Sequence, residues 1–197
     1  MLGRIARALP IALLLEALPG GPAGADSELW VVDTAKSRAG FNTFHPFSTF
    51  SGTSEAVTGE VYLDIADLKK PVQGKVSVPV SSLRTGTAGR DKDVRRALGG
   101  DKHPEIQLRI VRMESSFTSL AENNDVLLTI NGVLTARGTE GPVAFTGRLR
   151  LRGGTLWARG ESRVVPSDFG VPLLRSWLIA MKDHVMASFD LVLSRSR

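Results

Sequence analysis

The amino-acid sequence predicts an all-β fold in which about eight short antiparallel strands form one domain. Apolar and polar residues alternate in short runs, which is the period of a strand with one buried face. Clusters of glycine, proline and asparagine separate these runs at nearly regular intervals. The chain has 197 residues, which favours one domain over several. Strand periodicity alone does not distinguish a closed barrel from a sandwich.

Residues 1–25 have the three-part pattern of a secretory signal peptide. Arg4 and Arg7 precede an apolar stretch that is shorter than the roughly 20 residues needed to cross a bilayer. Ala23-Gly24-Ala25 fits a cleavage site, so we expect the folded domain to span 26–197. The alternative is a soluble amino-terminal helix. The signal pattern predicts a periplasmic or secreted protein.

The strands are predicted from runs in which every second residue is apolar. The clearest run is 143–151, where Val143, Phe145, Leu149 and Leu151 alternate with small or charged residues and only Gly147 interrupts the apolar side. The remaining runs are 29–32, 38–44, 61–65, 76–80, 106–110, 126–134 and 185–193. We expect the apolar side of each run to face the interior.

Turn signals lie between these runs, and two segments are helical candidates. The segment 87–98 is rich in charge and predicts a surface helix, whereas 172–180 is apolar enough to cover one end of a barrel. The turn signals are Ser51-Gly52, Lys70-Pro71, Asn123-Asn124-Asp125, 138–142, Gly153-Gly154 and Pro166-Ser167.

The sequence contains no recognisable catalytic or metal-binding motif. It has no cysteine, no G-x-S-x-G or H-E-x-x-H element and no glycine-rich phosphate loop. The three histidines, His45, His103 and His184, lie far apart, and none has a ligand partner at metal-site spacing. We therefore expect no enzymatic activity, no metal and no cofactor.

The charge pattern indicates a basic surface without indicating a nucleic-acid partner. The net charge is +5 and the isoelectric point is about 10.0, which favours anionic partners in general. Arg148, Arg150 and Arg152 share one strand face, either as an anion-binding patch or, as alternation favours, as a solvated outer wall. Nucleic-acid binding needs exposed aromatic residues among the basic ones, but Phe145 and Phe189 fall on apolar stripes. Transient contact with a membrane surface stays open.

Several short motifs follow one another in a consistent order along the chain. They are Trp30-Val31-Val32-Asp33 with Ser37 and Phe41, Phe44-His45 with Phe50-Ser51-Gly52, Ser82-Leu83-Arg84-Thr85-Gly86 with Arg90-Asp91, Asp101-Lys102-His103-Pro104-Glu105-Ile106, 131–138 with Pro142-Val143, Asp168-Phe169-Gly170, and Lys182-Asp183-His184-Val185. Together they resemble the bacterial YceI family of polyisoprenoid-binding or lipid-binding proteins. The chain departs from that family at 96–100, at His103 in place of tyrosine, and at 173–180.

The resemblance implies a lipocalin-like antiparallel β-barrel of about eight strands with one or two short helices. It implies an exported carrier that holds a long-chain isoprenoid, quinone or fatty-acid-like ligand in an apolar cavity without catalysis. Apolar side chains are sufficient to line such a cavity, because a hydrocarbon chain binds by leaving water at about 25 cal/mol per Å². The predicted lining residues are Phe41, Val61, Leu63, Val76, Val78, Ile106, Leu108, Val143, Phe145 and Phe189.

An anionic headgroup needs a donor at the cavity mouth, and Arg84 and Arg90 are the candidates, since arginine suits a diphosphate. The simpler interpretation is that Arg90 and Asp91 pair with each other or with backbone and only stabilise the loop. Two other functions stay open: an interaction or stress-response protein with a filled interior, and a lipid hydrolase or isomerase with a buried pair such as His45 and an aspartate. The oligomeric state, including a dimer, also stays open.

Overall fold

Ten strands and one α-helix make up the regular structure of residues 27–43, 49–172 and 184–196, which the computed structural model describes. Short 3₁₀ helices lie at Thr34–Lys36, Val80–Ser82 and Pro166–Phe169. The strands and the helix are β1 (Glu28–Val32), β2 (Arg38–Thr43), β3 (Ser51–Ser54), β4 (Thr58–Leu63), β5 (Gln73–Pro79), α1 (Ala88–Ala97), β6 (Glu105–Ser115), β7 (Asp125–Ala136), β8 (Thr139–Arg152), β9 (Thr155–Val164) and β10 (Val185–Arg195).

Eight of these strands close into an antiparallel barrel in the order β1-β4-β5-β6-β7-β8-β9-β10. The pairing of β1 with β10 completes the circle, with Trp30 opposite Arg195 and Val32 opposite Leu193. Closure leaves no free edge along the cylinder and decides between barrel and sandwich. The predicted all-β barrel of about eight strands is confirmed.

The strands β2 and β3 form a short extension of the barrel wall. The first half of β10 pairs with β2 from Val185–Thr43 to Asp190–Arg38, whereas its second half pairs with β1. The step from β1 to β2 is held by the Ser37 hydroxyl, which accepts a hydrogen bond from the Val192 N–H (3.0 Å). The chain thus uses one long strand as the partner of two short ones.

The prediction of a turn at Ser51-Gly52 is wrong, because both residues belong to β3, which pairs with β2. Gly52 lies opposite Phe41, whose ring occupies the space that a side chain at Gly52 would need. The glycine therefore permits close approach of a ring rather than a turn. The outer edge of β3 is covered as well, since Thr53 and Arg84 exchange two backbone hydrogen bonds of 2.8 Å.

Two predicted turns are tight hairpins. Arg137-Gly138 and Gly153-Gly154 all have positive φ, from 51° to 76°, which a two-residue hairpin of the I′ type requires. The expected loop at 138–142 is too long, because β8 already begins at Thr139. Pro142 is tolerated in β8 because it lies outside the stretch that pairs with β9, which begins at Thr146.

The helix α1 lies close to its predicted range and packs one face against the barrel. Asp91, Val94 and Ala97 are buried at intervals of three residues, while the charged residues between them are more exposed. The second predicted helix, at 172–180, falls almost entirely outside the described residues. The predicted signal at 1–25, His45 and Asp183 also lie outside them.

The apolar stripes face the interior as predicted. Phe145 on β8 is 5% exposed and Phe189 on β10 is 9% exposed. Trp30, 1% exposed, fills the end of the barrel opposite α1, where the Arg195 guanidinium lies 5.9 Å from its ring centre and pairs with Glu28. One end is thus closed by side chains, and the other end contains the candidate site.

Candidate functional site

A cavity of about 260 Å³ occupies the end of the barrel next to α1. Its described wall combines the inward residues of β2 and β5–β10 with the buried face of α1 and the 166–172 segment. None of the lining side chains in the described part of the chain is ionisable, and the polar ones there are Thr43 and Ser188. The Thr43 hydroxyl is already paired with the backbone N–H (3.2 Å) and carbonyl (3.1 Å) of Phe50. The wall therefore offers apolar contact and few polar partners.

A second, smaller cavity of about 70 Å³ lies deeper in the same barrel. It is lined by aliphatic residues, Met113 and Phe189, with no polar side chain among them. Val76, Leu108 and Phe189 line both cavities, so the two spaces adjoin. We call them the upper and the lower cavity. Both are suited to hydrocarbon and neither to a charged group, because an unpaired charge is costly to bury.

The predicted lining residues fall into four groups. Phe41, Val78, Ile106 and Phe145 line the upper cavity. Val61 and Leu63 line the lower cavity, and Val76, Leu108 and Phe189 line both. Val143 packs against the core without lining either cavity.

Several lining residues escaped the sequence analysis. Phe169 is buried beside the upper cavity, and its ring packs over Gly141, where an added Cβ would lie 3.0 Å from Cζ. Phe169 and Phe50 both belong to motifs of the family resemblance, and those motifs were the sequence signal that could have identified them as lining residues. No sequence signal marks the lining residues of the helix, because only the packing of α1 on the barrel turns them towards the cavity; they are Val94, Ala97 and Leu98.

The two arginine candidates occupy different positions at the mouth. The Arg84 guanidinium donates hydrogen bonds to the carbonyls of Ser81 (2.7 Å) and Leu83 (3.0 Å). The Arg90 guanidinium lies over the Phe50 ring, 5.1 Å from its centre, within range of a cation–π interaction. Phe50 lines the upper cavity and meets Phe41 edge to face, 5.9 Å between ring centres. The Phe50 ring therefore lies between Arg90 and the cavity, whereas the Arg84 guanidinium is bonded to the backbone of its own loop.

Asp91 stabilises the loop that leads into α1. Its carboxylate accepts hydrogen bonds from the backbone N–H and the hydroxyl of Thr85, both 2.6 Å long. These bonds hold the pKa of the carboxyl below its usual value against the opposing effect of burial, with help from Arg84 and Arg95. Gly86 adds a left-handed turn (φ 78°). The Thr85–Asp91 hydrogen bonds and the turn at Gly86 thus shape the mouth of the upper cavity.

The arginines of the outer wall are solvent-exposed and partly paired. Arg148, Arg150 and Arg152 all point outwards from β8. Arg150 makes a bidentate ion pair with Asp125 on β7 (2.6 and 2.7 Å), which lowers the pKa of that carboxyl. The groove that they line lies along the half of the barrel away from α1, so it is separate from the upper cavity.

The remaining polar groups do not form a metal-binding cluster within residues 27–43, 49–172 and 184–196. Those residues contain no cluster of three or more histidine, cysteine, aspartate or glutamate side chains that could hold a metal ion. His103 is half-buried and packs against Gly138, and the His184 ring lies 3.3 Å from the Arg163 guanidinium. No helix in the described part is long and apolar enough to cross a membrane.

Solved structures with the same fold include proteins of three bacteria. BcnA of Burkholderia cenocepacia superposes with a TM-score of 0.68 at 20% identity, covering 82% of this chain and 98% of that one. A polyisoprenoid-binding domain of Saccharophagus degradans, implicated in plant cell wall breakdown, gives 0.67 at 14% identity, covering 85% and 98%. The YceI protein of Campylobacter jejuni gives 0.59 at 15% identity, covering 74% and 84%.

Sequence comparisons address the family directly. A search of curated proteins found no match to the chain. The model of the YceI-like domain, in contrast, matches residues 30–193, which includes every strand of the barrel at least in part. With this match over most of its length, and with the barrel and cavity described above, the chain belongs to the YceI-like family.

Proposed function

We propose that the protein is an exported carrier that binds the hydrocarbon chain of an isoprenoid lipid inside its barrel. The observation that carries the proposal is the upper cavity, about 260 Å³ in volume, whose described lining has no ionisable side chain. A concave, mostly apolar lining of this character is typical of small-molecule binding. Each methylene that leaves water contributes about 0.8 kcal/mol, so affinity needs no specific polar partner along the chain.

The similarity to a polyisoprenoid-binding domain supports an isoprenoid over other amphiphiles. Quinones with prenyl tails present the same hydrocarbon and belong to the same proposal, whereas fatty acids lack the methyl branches. The open interior argues against a protein whose barrel is only a filled scaffold. The described part of the lining, which has no titratable side chain, supports binding rather than hydrolysis or isomerisation, because acid–base catalysis needs a titratable group beside the ligand.

Arg90 is the proposed partner of an anionic headgroup at the mouth. Its guanidinium lies over Phe50, which lines the upper cavity, so only that ring separates the charge from the cavity. Arginine binds phosphate oxygens in a bidentate manner. The ligand would then lie with its head beside α1 and its tail towards the lower cavity.

The decisive experiment is organic extraction of protein purified from its native host, followed by mass spectrometry. We expect a prenol, prenyl phosphate or prenylquinone in about one-to-one ratio with the protein. Added farnesol or geranylgeraniol should be recovered chemically unchanged after incubation. Absence of any long-chain species, together with no binding of either prenol by the extracted protein, would refute lipid carriage. Recovery of an altered prenol would instead indicate an enzyme.

Export is the part of the proposal that rests on sequence alone, on the signal pattern at 1–25. Sequencing of the protein from a periplasmic fraction should find an amino terminus near Asp26. An intact Met1 in that fraction would contradict cleavage.

A further inference from the structure

The space inside the barrel is divided at a pair of aromatic rings. Phe145 on β8 and Phe189 on β10 have ring centres 5.3 Å apart and planes inclined by 50°. Phe145 lines only the upper cavity, whereas Phe189 lines both cavities. A chain that enters beside α1 therefore meets these rings before it reaches the lower cavity.

Gly160 leaves the space that the Phe189 ring occupies. Across the sheet, Gly147 on β8 lies opposite Gly160 on β9, which lies opposite Phe189 on β10. A Cβ added to Gly160 would lie 2.7 Å from Cζ and 3.0 Å from Cε1 of Phe189. The ring thus fills the space that an inward side chain at Gly160 would take. Gly147, which interrupts the apolar stripe of β8, has another role: an added Cβ would clash with the Arg159 carbonyl oxygen, so this glycine permits the close approach of β9.

The lower cavity would accommodate the end of a hydrocarbon chain only where the Phe189 ring, which lines both cavities, does not block the way from the upper cavity. All its lining residues are apolar, and they come from every strand of the barrel except β1. Its volume, about 70 Å³ beside about 260 Å³ above, is enough for a short piece of chain only. An empty apolar cavity is destabilising, so occupation by a chain end would be favourable.

From this arrangement we propose that Phe145 and Phe189 set the length of the chain that the protein binds. With the rings in place, the upper cavity holds a short prenyl chain, and the ring of Phe189 prevents a longer one from extending into the lower cavity. Removal of the ring at 189 joins the two cavities and admits longer chains. This specificity rests on the proposed carriage of a prenyl lipid.

The test compares the affinities of farnesol, geranylgeraniol and solanesol for wild-type protein and for Phe189→Leu. The wild type should bind the two shorter prenols more tightly than solanesol. The variant should bind solanesol about tenfold more tightly than the wild type does, because two or so additional methylene groups become buried. Phe145→Leu serves as a second variant in case Phe189→Leu does not fold, and circular dichroism establishes folding of each.

The pair of rings Phe145 and Phe189 is the proposed partition between the two cavities. Two controls separate loss of this partition from other effects of a phenylalanine substitution. Phe169→Leu enlarges the upper cavity away from the ring pair and should not favour solanesol. Phe117→Leu changes an exposed loop residue and should leave all three affinities unchanged. If the wild type binds none of the prenols, the proposed function is refuted. If it binds them, but solanesol is bound as tightly as farnesol or neither folded variant gains affinity for solanesol, the partition is overturned while lipid carriage stands.

Discussion

Thr85 donates two hydrogen bonds to one carboxylate oxygen of Asp91, one from its backbone N–H and one from its hydroxyl, each 2.6 Å long. Asp91 lies on the buried face of α1, and Thr85 lies in the loop before the helix. The pair therefore fixes the angle at which the helix leaves the loop and so the shape of the cavity mouth.

The first prediction concerns the pH dependence of stability. The Thr85 hydrogen bonds lower the pKa of Asp91 in the folded protein below its ordinary value of 3.8. A carboxyl with a lowered folded pKa stabilises the protein above the unfolded value, and that contribution is lost as the pH falls through the folded pKa. Asp91→Asn should therefore reduce the melting temperature more at about pH 7 than at about pH 3.

Asp93→Asn is the matched control, because Asp93 lies on the same helix but pairs with Arg96 at the surface (3.0 Å). It should change the melting temperature little at either pH. Thermal denaturation followed by circular dichroism measures both variants. An effect of Asp91→Asn that is as large in acid as at neutral pH would mean that its charge is not the source of the stabilisation.

The second prediction concerns the closed end of the barrel. Trp30 is 1% exposed and packs in the core, so Trp30→Ala should lower the free energy of unfolding by about 3–5 kcal/mol. Trp157 is 43% exposed on the outer wall, and Trp157→Ala should cost about 0.5 kcal/mol or less. Urea denaturation of both variants makes the comparison, and equal losses would contradict the assignment of Trp30 to the core.

The third prediction contrasts two glycines near the mouth. Gly89 lies within α1 with open space around it, so Gly89→Ala should stabilise the protein by up to about 0.5–1 kcal/mol. Gly138 has φ +76° and the His103 ring occupies the place of its missing side chain. Gly138→Ala should therefore destabilise by at least about 1–2 kcal/mol. Denaturant midpoints of the two variants should move in opposite directions, and a shared direction would contradict one of the two backbone assignments.

The fourth prediction tests the headgroup position. Arg90→Ala should weaken binding of geranylgeranyl diphosphate about tenfold to a hundredfold, the equivalent of a lost charge-assisted hydrogen bond. It should leave binding of neutral geranylgeraniol nearly unchanged. Isothermal titration calorimetry with both ligands separates a headgroup contact from a fault in the fold.

Arg84→Ala is the companion variant for that test. Its guanidinium donates to the carbonyls of Ser81 and Leu83, so its removal should affect both ligands equally, through the loop. Selective loss of the diphosphate in Arg84→Ala rather than in Arg90→Ala would transfer the headgroup role to Arg84. No loss in either variant would remove both arginines from ligand recognition.

Some strands were predictable because both the strand pattern and the turn pattern are local. The alternation in 143–151 identifies β8, and the Gly153-Gly154 turn marks its end. The strand β9 went unrecognised because its inward positions include Ala158, Gly160 and Ser162, which leave no apolar stripe. The reason for a small residue at such a position becomes visible only in the folded barrel: Gly160 leaves space for the Phe189 ring of the neighbouring strand.

The sequence by itself determined the all-β class, the inward direction of Phe145 and Phe189, the charged helix and the family, because alternation, turn residues and motifs are properties of neighbouring positions in the chain. Tertiary structure alone decided that the barrel is hollow at the α1 end and that Arg90 lies over the Phe50 ring while Arg84 bonds to backbone carbonyls. The physical reason is that side-chain period specifies which face a residue occupies, whereas a cavity is the volume left between residues far apart in sequence. That volume depends on the register of the strands and on the packing of α1.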